Sequence, residues 1–262
     1  MAEDPYSGIA PLLKLATDWL ANSEAETVAL ELAVHQLRWR GDWRLSIYRT
    51  PQDMEGVSVV MPGRHWFLEA RGKTAAFVLA NAAVVHGRRP ATLTTSERVS
   101  RLVRPFLSEQ NAIDKELKLR ILRCTKPAAD REGRWATTAD LPKLEKYQKQ
   151  LGREASKFMD TTWKHLIARK DLAILTDRDA VVASIRRWGP APSVAGVADL
   201  FVAAKSRRNE IATRLTGFVV GELLANRKAI YEFVDGADTA TLELYRAAGF
   251  EDVGAGYRAL LR

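Results

Sequence analysis

The same order of predicted elements occurs twice along the 262-residue chain. In each half helical periodicity comes first, short β-prone runs follow, and a helix, a strand, a helix and a strand complete the series. No sequence repeat accompanies this order, so it indicates a repeated architecture only. In the first half the pattern predicts helix over 8–38, strands over 43–49, 56–61 and 65–69, helix over 73–86, strand over 91–95, helix over 96–108 and strand over 116–124.

The second half follows a polar segment, residues 125–133, whose turn-forming residues are typical of a linker. Asp140 is a plausible N-cap for the long helix after it. The expected fold class is α+β, with domains over 1–128 and 129–262. The pattern predicts strand over 134–138, helices over 140–158 and 161–170, strands over 172–175, 180–188 and 194–203, helix over 211–227, strand over 229–234, helix over 238–248 and strand over 257–261.

The composition excludes several classes of protein. The single cysteine, Cys124, rules out a disulfide framework and argues against a cysteine-built zinc site. No run approaches the roughly 18 consecutive apolar residues of a membrane span, and the acidic N-terminus lacks the apolar region of a secretory signal. We therefore expect a cytoplasmic protein with no metal and no membrane partner.

Positive charge is concentrated in the middle of the chain. Residues 101–150 carry twelve Lys and Arg against seven Asp and Glu, which is +5 of the formal net charge of +8. Basic residues recur there at helical spacing, a pattern found on any solvated helix face. Several such rows together favour a polyanionic partner that contacts them through phosphates. The candidate phosphate-binding residues are Lys143, Lys146, Lys149, Arg153 and Lys157 in one row and Arg98, Arg101 and Arg104 in another.

Three segments of the second half resemble the GNAT acyltransferases. These proteins often carry N-x-x-A-x-x-L-Y followed by a short run and G-F, and DTATLELYRAAGF places Asp238, Tyr245, Gly249 and Phe250 in that frame. The segment RWATTADLPKLEKYQKQLGREAS is similar to the first strand and helix of the fold. KSRRNEIATRL then follows a predicted strand where the family has its pyrophosphate loop. The resemblance implies two GNAT-like domains, each a mixed, mostly antiparallel sheet flanked by helices, of which the first, assigned on element order alone, is degenerate.

The reaction implied by the resemblance is the attack of an amine on a thioester or ester carbonyl. Tyr245 stands at the family's general-acid position, although a buried helix tyrosine can also serve packing alone. In the family the fourth strand splays at a bulge, and its backbone N–H groups meet the acyl carbonyl. That stretch corresponds here to Phe201, Val202 and Ala203.

Asp199 is the second catalytic candidate, and Glu154 and His165 are candidates on the acceptor side. Asp199 lies on the same predicted strand and could act as a base, or could be an outward-facing residue. Glu154 and His165 lie on helices that cover the acceptor in this fold, where either could bind or deprotonate the amine.

The predicted pyrophosphate loop departs from the family pattern R/Q-x-x-G-x-G/A. Arg207 and Ala212 fit its ends, but Glu210 stands where the first glycine belongs and would bring a negative charge toward a dianion. Alternatively, Glu210 is a solvated residue of the first helical turn, which the helix dipole favours. The residues implied in donor binding are Lys205, Arg207, Arg208, Ala212 and Asp238.

The charge and the altered loop together favour aminoacyl-tRNA as the acyl donor, as in the Fem-type and leucyl/phenylalanyl transferases. The function expected is amide formation on a small-molecule amine, without a tightly bound cofactor. Two alternatives stay open: an acetyl-CoA-dependent N-acetyltransferase, and a GNAT-fold binding protein without catalysis.

Overall fold

The chain forms two compact units in a computed structural model, which describes residues 10–20, 27–37, 43–61, 65–85, 90–157, 162–189, 191–206 and 209–262. The first unit comprises residues up to Ile121 together with Val253–Arg262, and the second comprises Leu122–Asp252. Residues Val253–Arg262 therefore fold with the first unit although they follow the second in sequence. The domain limits 1–128 and 129–262 stay a prediction.

The first unit packs helices on a mixed sheet whose strand order is β1-β2-β3-β4-β11-β5. Strands β1 to β3 are antiparallel, β4 is parallel to β3, and β11 is antiparallel to β4. Its core surrounds Trp66, Leu93 and Leu107. The elements are α1 (Ala10–Leu20), α2 (Val28–Gln36), β1 (Arg44–Arg49), β2 (Met54–Val60), β3 (His65–Ala70), α3 (Lys73–Val85), β4 (Thr92–Ser96), α4 (Glu97–Glu109), β5 (Ile113–Cys124) and β11 (Glu251–Leu261).

The second unit repeats this plan with strand order β10-β9-β8-β7-β6. Strands β6 to β9 are antiparallel, and β10 is parallel to β9. One core includes Leu215 and Val219 of α7, and a second, around Leu144 and Tyr147 of α5, lies on the opposite face of the sheet. The elements are β6 (Arg134–Trp135), α5 (Leu141–Lys157), α6 (Trp163–Ala168), β7 (Leu172–Asp177), β8 (Ala180–Trp188), β9 (Val194–Val202), α7 (Asn209–Leu224), β10 (Ala229–Asp235) and α8 (Thr239–Ala247).

The predicted α+β class and the repeated element order are confirmed. Two local predictions are wrong: the stretch 8–38 contains two helices, α1 and α2, in place of one, and Asp140 is not the N-cap of the long helix. A short 3₁₀ turn, Thr138–Asp140, precedes α5 and is capped by Thr137, with Asp140 closing a capping box from inside the turn. The side chain of Asp140 also pairs with both terminal nitrogens of Arg134, at 2.6 and 2.8 Å. This turn ends β6 after two residues, so the strand predicted over 134–138 is short.

Candidate functional site

Strands β9 and β10 separate partway along their length. They pair in parallel from Val194 to Gly196, opposite Ala229 to Tyr231. Beyond that point β9 bulges, because three of its residue steps, from Ala198 to Phe201, lie opposite two steps of β8. Asp199 within the bulge has a φ of 53°, a left-handed conformation that is uncommon for a residue other than glycine. The sheet of the second unit therefore opens between β9 and β10, with Asp199 at the opening.

Asp199 forms an ion pair across the sheet with Arg186 of β8. The Arg186 Nε atom lies 2.8 Å from Oδ2 of Asp199, and the two side chains are 25% and 21% exposed. Because both are mostly withdrawn from water, their charges interact more strongly than an exposed pair would. The predicted candidate base thus has its carboxyl group held by the Arg186 guanidinium.

The same two residues form the polar end of a pocket. Ser184 lies beside them, and the apolar wall consists of Trp163, Leu166, Leu172 and Phe201. Hydrogen bonds fix this wall: the Tyr147 hydroxyl donates to the Phe201 carbonyl oxygen at 2.8 Å, and Trp163 Nε1 donates to Gln148 at 2.9 Å. Burial raises the pKa of Tyr147, which therefore remains a donor at neutral pH.

Tyr245 of α8 is buried in the core of the second unit, where its ring meets Phe250 edge to face at 5.2 Å. Burial raises the pKa of Tyr245 well above its ordinary value, and the negative charges of Glu232 and Asp199 raise it further. Glu232 lies on β10 next to Tyr231, the last residue paired with β9. Asp199 and Glu232 therefore both lie close enough to Tyr245 for their charges to act on its phenol. Glu232 is not among the residues predicted from the sequence, since a single acidic residue in a strand carries no distinguishing pattern.

Only some of the backbone N–H groups in the predicted oxyanion stretch are free to bind a ligand. The Ala203 N–H donates to the Val182 carbonyl oxygen at 2.8 Å. Because N–H groups alternate in direction along a strand, the Phe201 N–H also points toward β8 and the Val202 N–H points the opposite way. The predicted oxyanion stretch stays a prediction, and of its three N–H groups that of Val202 is the one directed away from β8.

The residues predicted for donor binding have different surroundings. Lys205 is exposed in the turn Ala204–Ser206 that follows β9, whereas Arg207 and Arg208 lie outside the described residues. Ala212 is 3% exposed, so its side chain is buried beneath α7 and offers no surface to a ligand. Asp238 caps α8 by accepting hydrogen bonds from the backbone N–H and the hydroxyl of Thr241.

Glu210 lies in the first turn of α7 with an exposed side chain. Negative charge at this end of a helix is favourable, because the unpaired N–H groups there are partially positive. This placement agrees with the alternative in which Glu210 is a solvated residue of the first turn.

On the acceptor side, His165 is exposed on α6 and its Nδ1 lies 3.3 Å from the Thr162 hydroxyl. Trp163 and Leu166 of the same helix line the pocket, so His165 faces away from it. The Glu154 side chain lies outside the described residues, as do those of Arg153 and Lys157.

Four of the basic residues predicted to bind phosphates have acidic partners within their own unit. Arg101 pairs with Glu97 at 2.9 Å, and Arg104 pairs with Glu116 at 2.7 Å. Arg98 donates to the Ala70 carbonyl oxygen and lies 3.7 Å from Glu69, and Lys143 pairs with Asp179. Lys146 and Lys149 are exposed on α5. These pairings leave less uncompensated positive charge than the sequence suggests.

The corresponding strands of the first unit do not open in the same way. There β3 and β4 are paired from His65 to Leu68, opposite Thr92 to Thr95. The next residue, Glu69, is 1% exposed and accepts hydrogen bonds from the Ser96 backbone N–H at 2.6 Å and the Ser96 hydroxyl at 2.9 Å. Its carboxylate thus ties β3 to β4 where β9 leaves β10.

Among the described residues, no group of three or more His, Cys, Asp or Glu side chains could hold a metal ion. No helix in that part of the chain is both long and apolar enough to cross a membrane. Cys124 is buried, and its thiol donates to the Lys126 carbonyl oxygen at 3.0 Å.

No protein-family model and no curated protein matches this chain. Solved structures match its fold over almost the whole length. An acetyltransferase from the GNAT family of Colwellia psychrerythraea has a TM-score of 0.62 at 11% identity, covering 97% of each chain. A GCN5-related N-acetyltransferase from Sphaerobacter thermophilus has a TM-score of 0.58 at 16% identity, covering 100% of this chain and 95% of the other.

A tandem GNAT protein from the clavulanic acid biosynthesis pathway also matches, with a TM-score of 0.55 at 11% identity over 95% of each chain. The chain therefore has the GNAT fold, present twice, and the GNAT prediction is confirmed at the level of the fold. Fold alone does not define an activity, which has to be argued from the site.

Proposed function

We propose that this protein transfers an acyl group from an acyl-CoA, with acetyl-CoA as the first candidate, to the amine of a small molecule. The observation that carries the proposal is the opening between β9 and β10, with Tyr245, Asp199 and Glu232 around it and helix α7 beginning just beyond the end of β9. The N–H groups at a helix N-terminus favour an anion such as a pyrophosphate. The GNAT neighbours support the same class of reaction.

The proposed chemistry uses the groups at the opening in three roles. The Val202 N–H points into the opening and would stabilise the oxyanion formed when the amine attacks the thioester carbonyl. The Tyr245 hydroxyl, kept protonated by its surroundings, would donate a hydrogen bond to the departing thiolate. Asp199 is held by Arg186 and would bind the acceptor rather than remove its proton.

Acyl-CoA accounts for the site better than aminoacyl-tRNA does. Arg98, Arg101, Arg104 and Lys143 have acidic partners, which weakens the case for an extended phosphate-binding surface. Exposure of Glu210 also removes the main argument against CoA. We expect Glu210→Gly to change the dissociation constant for acetyl-CoA by less than about threefold, because the exposed charge is screened by water.

The test is calorimetric titration of ribonuclease-treated protein with acetyl-CoA, followed by a CoA-release assay against a panel of amines with the amide identified by mass spectrometry. We expect a dissociation constant between about 1 µM and 1 mM, the usual range of enzyme KM values. The double variant Lys146→Glu/Lys149→Glu should turn over normally, whereas a tRNA-dependent enzyme would lose activity. No binding, or amide formation only with charged tRNA, would overturn the proposal. Binding without product would make the protein a non-catalytic CoA-binding module.

A further inference from the structure

The pocket beside Asp199 combines two opposite charges with an apolar wall. Arg186 and Asp199 form its polar end, 2.8 Å apart, and they are the two charged residues among its described lining. Trp163, Leu166, Leu172 and Phe201 form the wall. The pocket is open to solvent at its mouth, so a molecule outside can reach the ion pair directly.

We propose that this pocket binds the amine acceptor and that the acceptor is an α-amino acid with a large apolar side chain. The inference rests on the proposed acyl-CoA function and specifies its substrate class. The amino acid's carboxylate pairs with Arg186, its amino group lies against Asp199, and its side chain contacts Trp163, Leu166 and Phe201.

Charge balance favours a zwitterion over a simple amine. A guanidinium and a carboxylate that are mostly buried cannot be separated cheaply unless each gains a new partner of opposite charge. A ligand with an ammonium and a carboxylate on one carbon supplies both partners. A simple amine would pair with Asp199 and weaken the interaction of Asp199 with Arg186. It would offer Arg186 no negative group in return. Because the guanidinium presents several donors in one plane, it also suits a carboxylate.

This placement brings the amino nitrogen, which is the reacting atom, to the end of the pocket at the opening between β9 and β10. Asp199 lies at the opening and close enough to Tyr245 to raise the pKa of its phenol. An amino group that is bound to Asp199 therefore lies next to the opening in which the acyl thioester is proposed to bind. After the ammonium has lost one proton to solvent, its nitrogen attacks the thioester carbonyl. The C–N bond forms, the C–S bond breaks, and the second nitrogen proton passes to the thiolate, giving an N-acyl amino acid and CoA.

The test compares four ligands on the unaltered protein with acetyl-CoA as donor: L-phenylalanine, L-leucine, phenethylamine and L-serine. Losing one charged hydrogen-bonding partner typically weakens an interaction by about 10- to 100-fold. We expect kcat/KM for L-phenylalanine to exceed that for phenethylamine, which lacks the carboxylate, by that factor. L-Leucine should react well and L-serine poorly, because serine cannot fill the apolar wall.

A variant separates a substrate contact from a structural role for Arg186. Arg186→Met should lower the ratio of kcat/KM for L-phenylalanine over phenethylamine at least tenfold, whereas a purely structural role would lower both values together. Arg186→Lys should restore part of the ratio. Arg178→Met, at an exposed position of the turn between β7 and β8, is the control and should leave it unchanged.

The inference and the proposed function fail in distinguishable ways. If acetyl-CoA binds and amines other than amino acids react equally well, the inference is overturned and the function stands. If acetyl-CoA does not bind, the function is overturned. L-Phenylalanine binding measured by calorimetry without a donor then decides whether the pocket assignment survives, and no binding would refute it.

Discussion

Tyr245 is a phenol whose acidity is set by its position. It is 2% exposed, and the charges of Glu232 and Asp199 disfavour its ionised form. At neutral pH it is therefore fully protonated and can donate to a thiolate. Complete proton transfer is uphill, because a thiol ordinarily ionises near pH 8.5. Tyr245 should therefore contribute to catalysis as a strong hydrogen-bond donor to the thiolate.

Tyr245→Phe removes the hydroxyl and keeps the ring contact with Phe250. We expect kcat to fall about 10²-fold, the low end of the range for general acid–base groups, with little change in the KM for acetyl-CoA. Steady-state kinetics checks this, and Tyr48→Phe in β1 of the first unit is the matched control. Turnover near that of the unaltered protein would reduce Tyr245 to a packing role.

Glu69 in the first unit is a second residue with an altered acidity. Burial raises its pKa to about 7, although hydrogen bonds from Ser96 and the charge of Arg98 oppose the shift. Since the folded state holds this proton more tightly than the unfolded state, Glu69 contributes stability below about pH 4.5 that is lost as the pH rises to 7.

The free energy of unfolding should therefore fall by up to about 3 kcal/mol from this group between pH 4.5 and 7, at 1.36 kcal/mol for each unit of pKa difference. Glu69→Gln cannot ionise and keeps an acceptor for the Ser96 N–H. Urea unfolding at several pH values should show a shallower decline for the variant than for the unaltered protein. An equal decline in both proteins would exclude Glu69 as the cause.

Among the elements, the start of α5 depends on a capping box that is closed by a buried, charged side chain. Asp140 is 3% exposed and joins Thr137 to Arg134 through its two carboxylate oxygens. Hydrogen bonding to Arg134 is the main cause that holds the pKa of Asp140 well below its usual range. Its stabilising effect is therefore present above about pH 4 and is lost as the pH falls below that value.

Asp140→Ala should destabilise the protein by about 2 kcal/mol, the upper end of the range for N-terminal caps, because the lost carboxylate serves both the cap and the ion pair. Asp238→Ala removes the more exposed cap of α8 and should cost about 1 kcal/mol. Urea unfolding at pH 7 measures both. Equal costs would show that burial and Arg134 add nothing to the cap.

For the molecule as a whole, the last strand has an unexpected position. Strand β11 lies between β4 and β5 in the sheet of the first unit. Tyr257 and Ala259 of β11 are buried in that unit's core, and the Tyr257 hydroxyl donates to Glu116 at 2.5 Å. A fragment that ends at the predicted boundary lacks a central strand of its own sheet.

Residues 1–128 alone should therefore fail to unfold cooperatively in urea, because β4 and β5 would lose their shared neighbour and its backbone hydrogen bonds. Appending residues 253–262 through a flexible linker should restore a cooperative transition in far-UV circular dichroism. A fragment 1–128 that unfolds cooperatively without the strand would show that β11 is dispensable.

Local sequence determined the elements of this protein and their order. The alternation of apolar and polar residues over 116–124 predicted β5, and the helix predicted over 96–108 is capped by Ser96, whose hydroxyl accepts from the Val99 N–H. The frame around Tyr245 indicated the GNAT fold. These features depend on periodicity and capping within a few residues, so a single sequence contains them.

Only the tertiary structure decided which of those elements meet. The opening after Gly196 and Tyr231, the pairing of Arg186 with Asp199 and the approach of Glu232 to Tyr245 join residues that are remote in sequence or lie on different strands. The buried tie from Glu69 to Ser96 and the return of β11 to the first unit are of the same kind. Strand pairing and charge burial arise from contacts between distant segments, and no local pattern specifies which segments these will be.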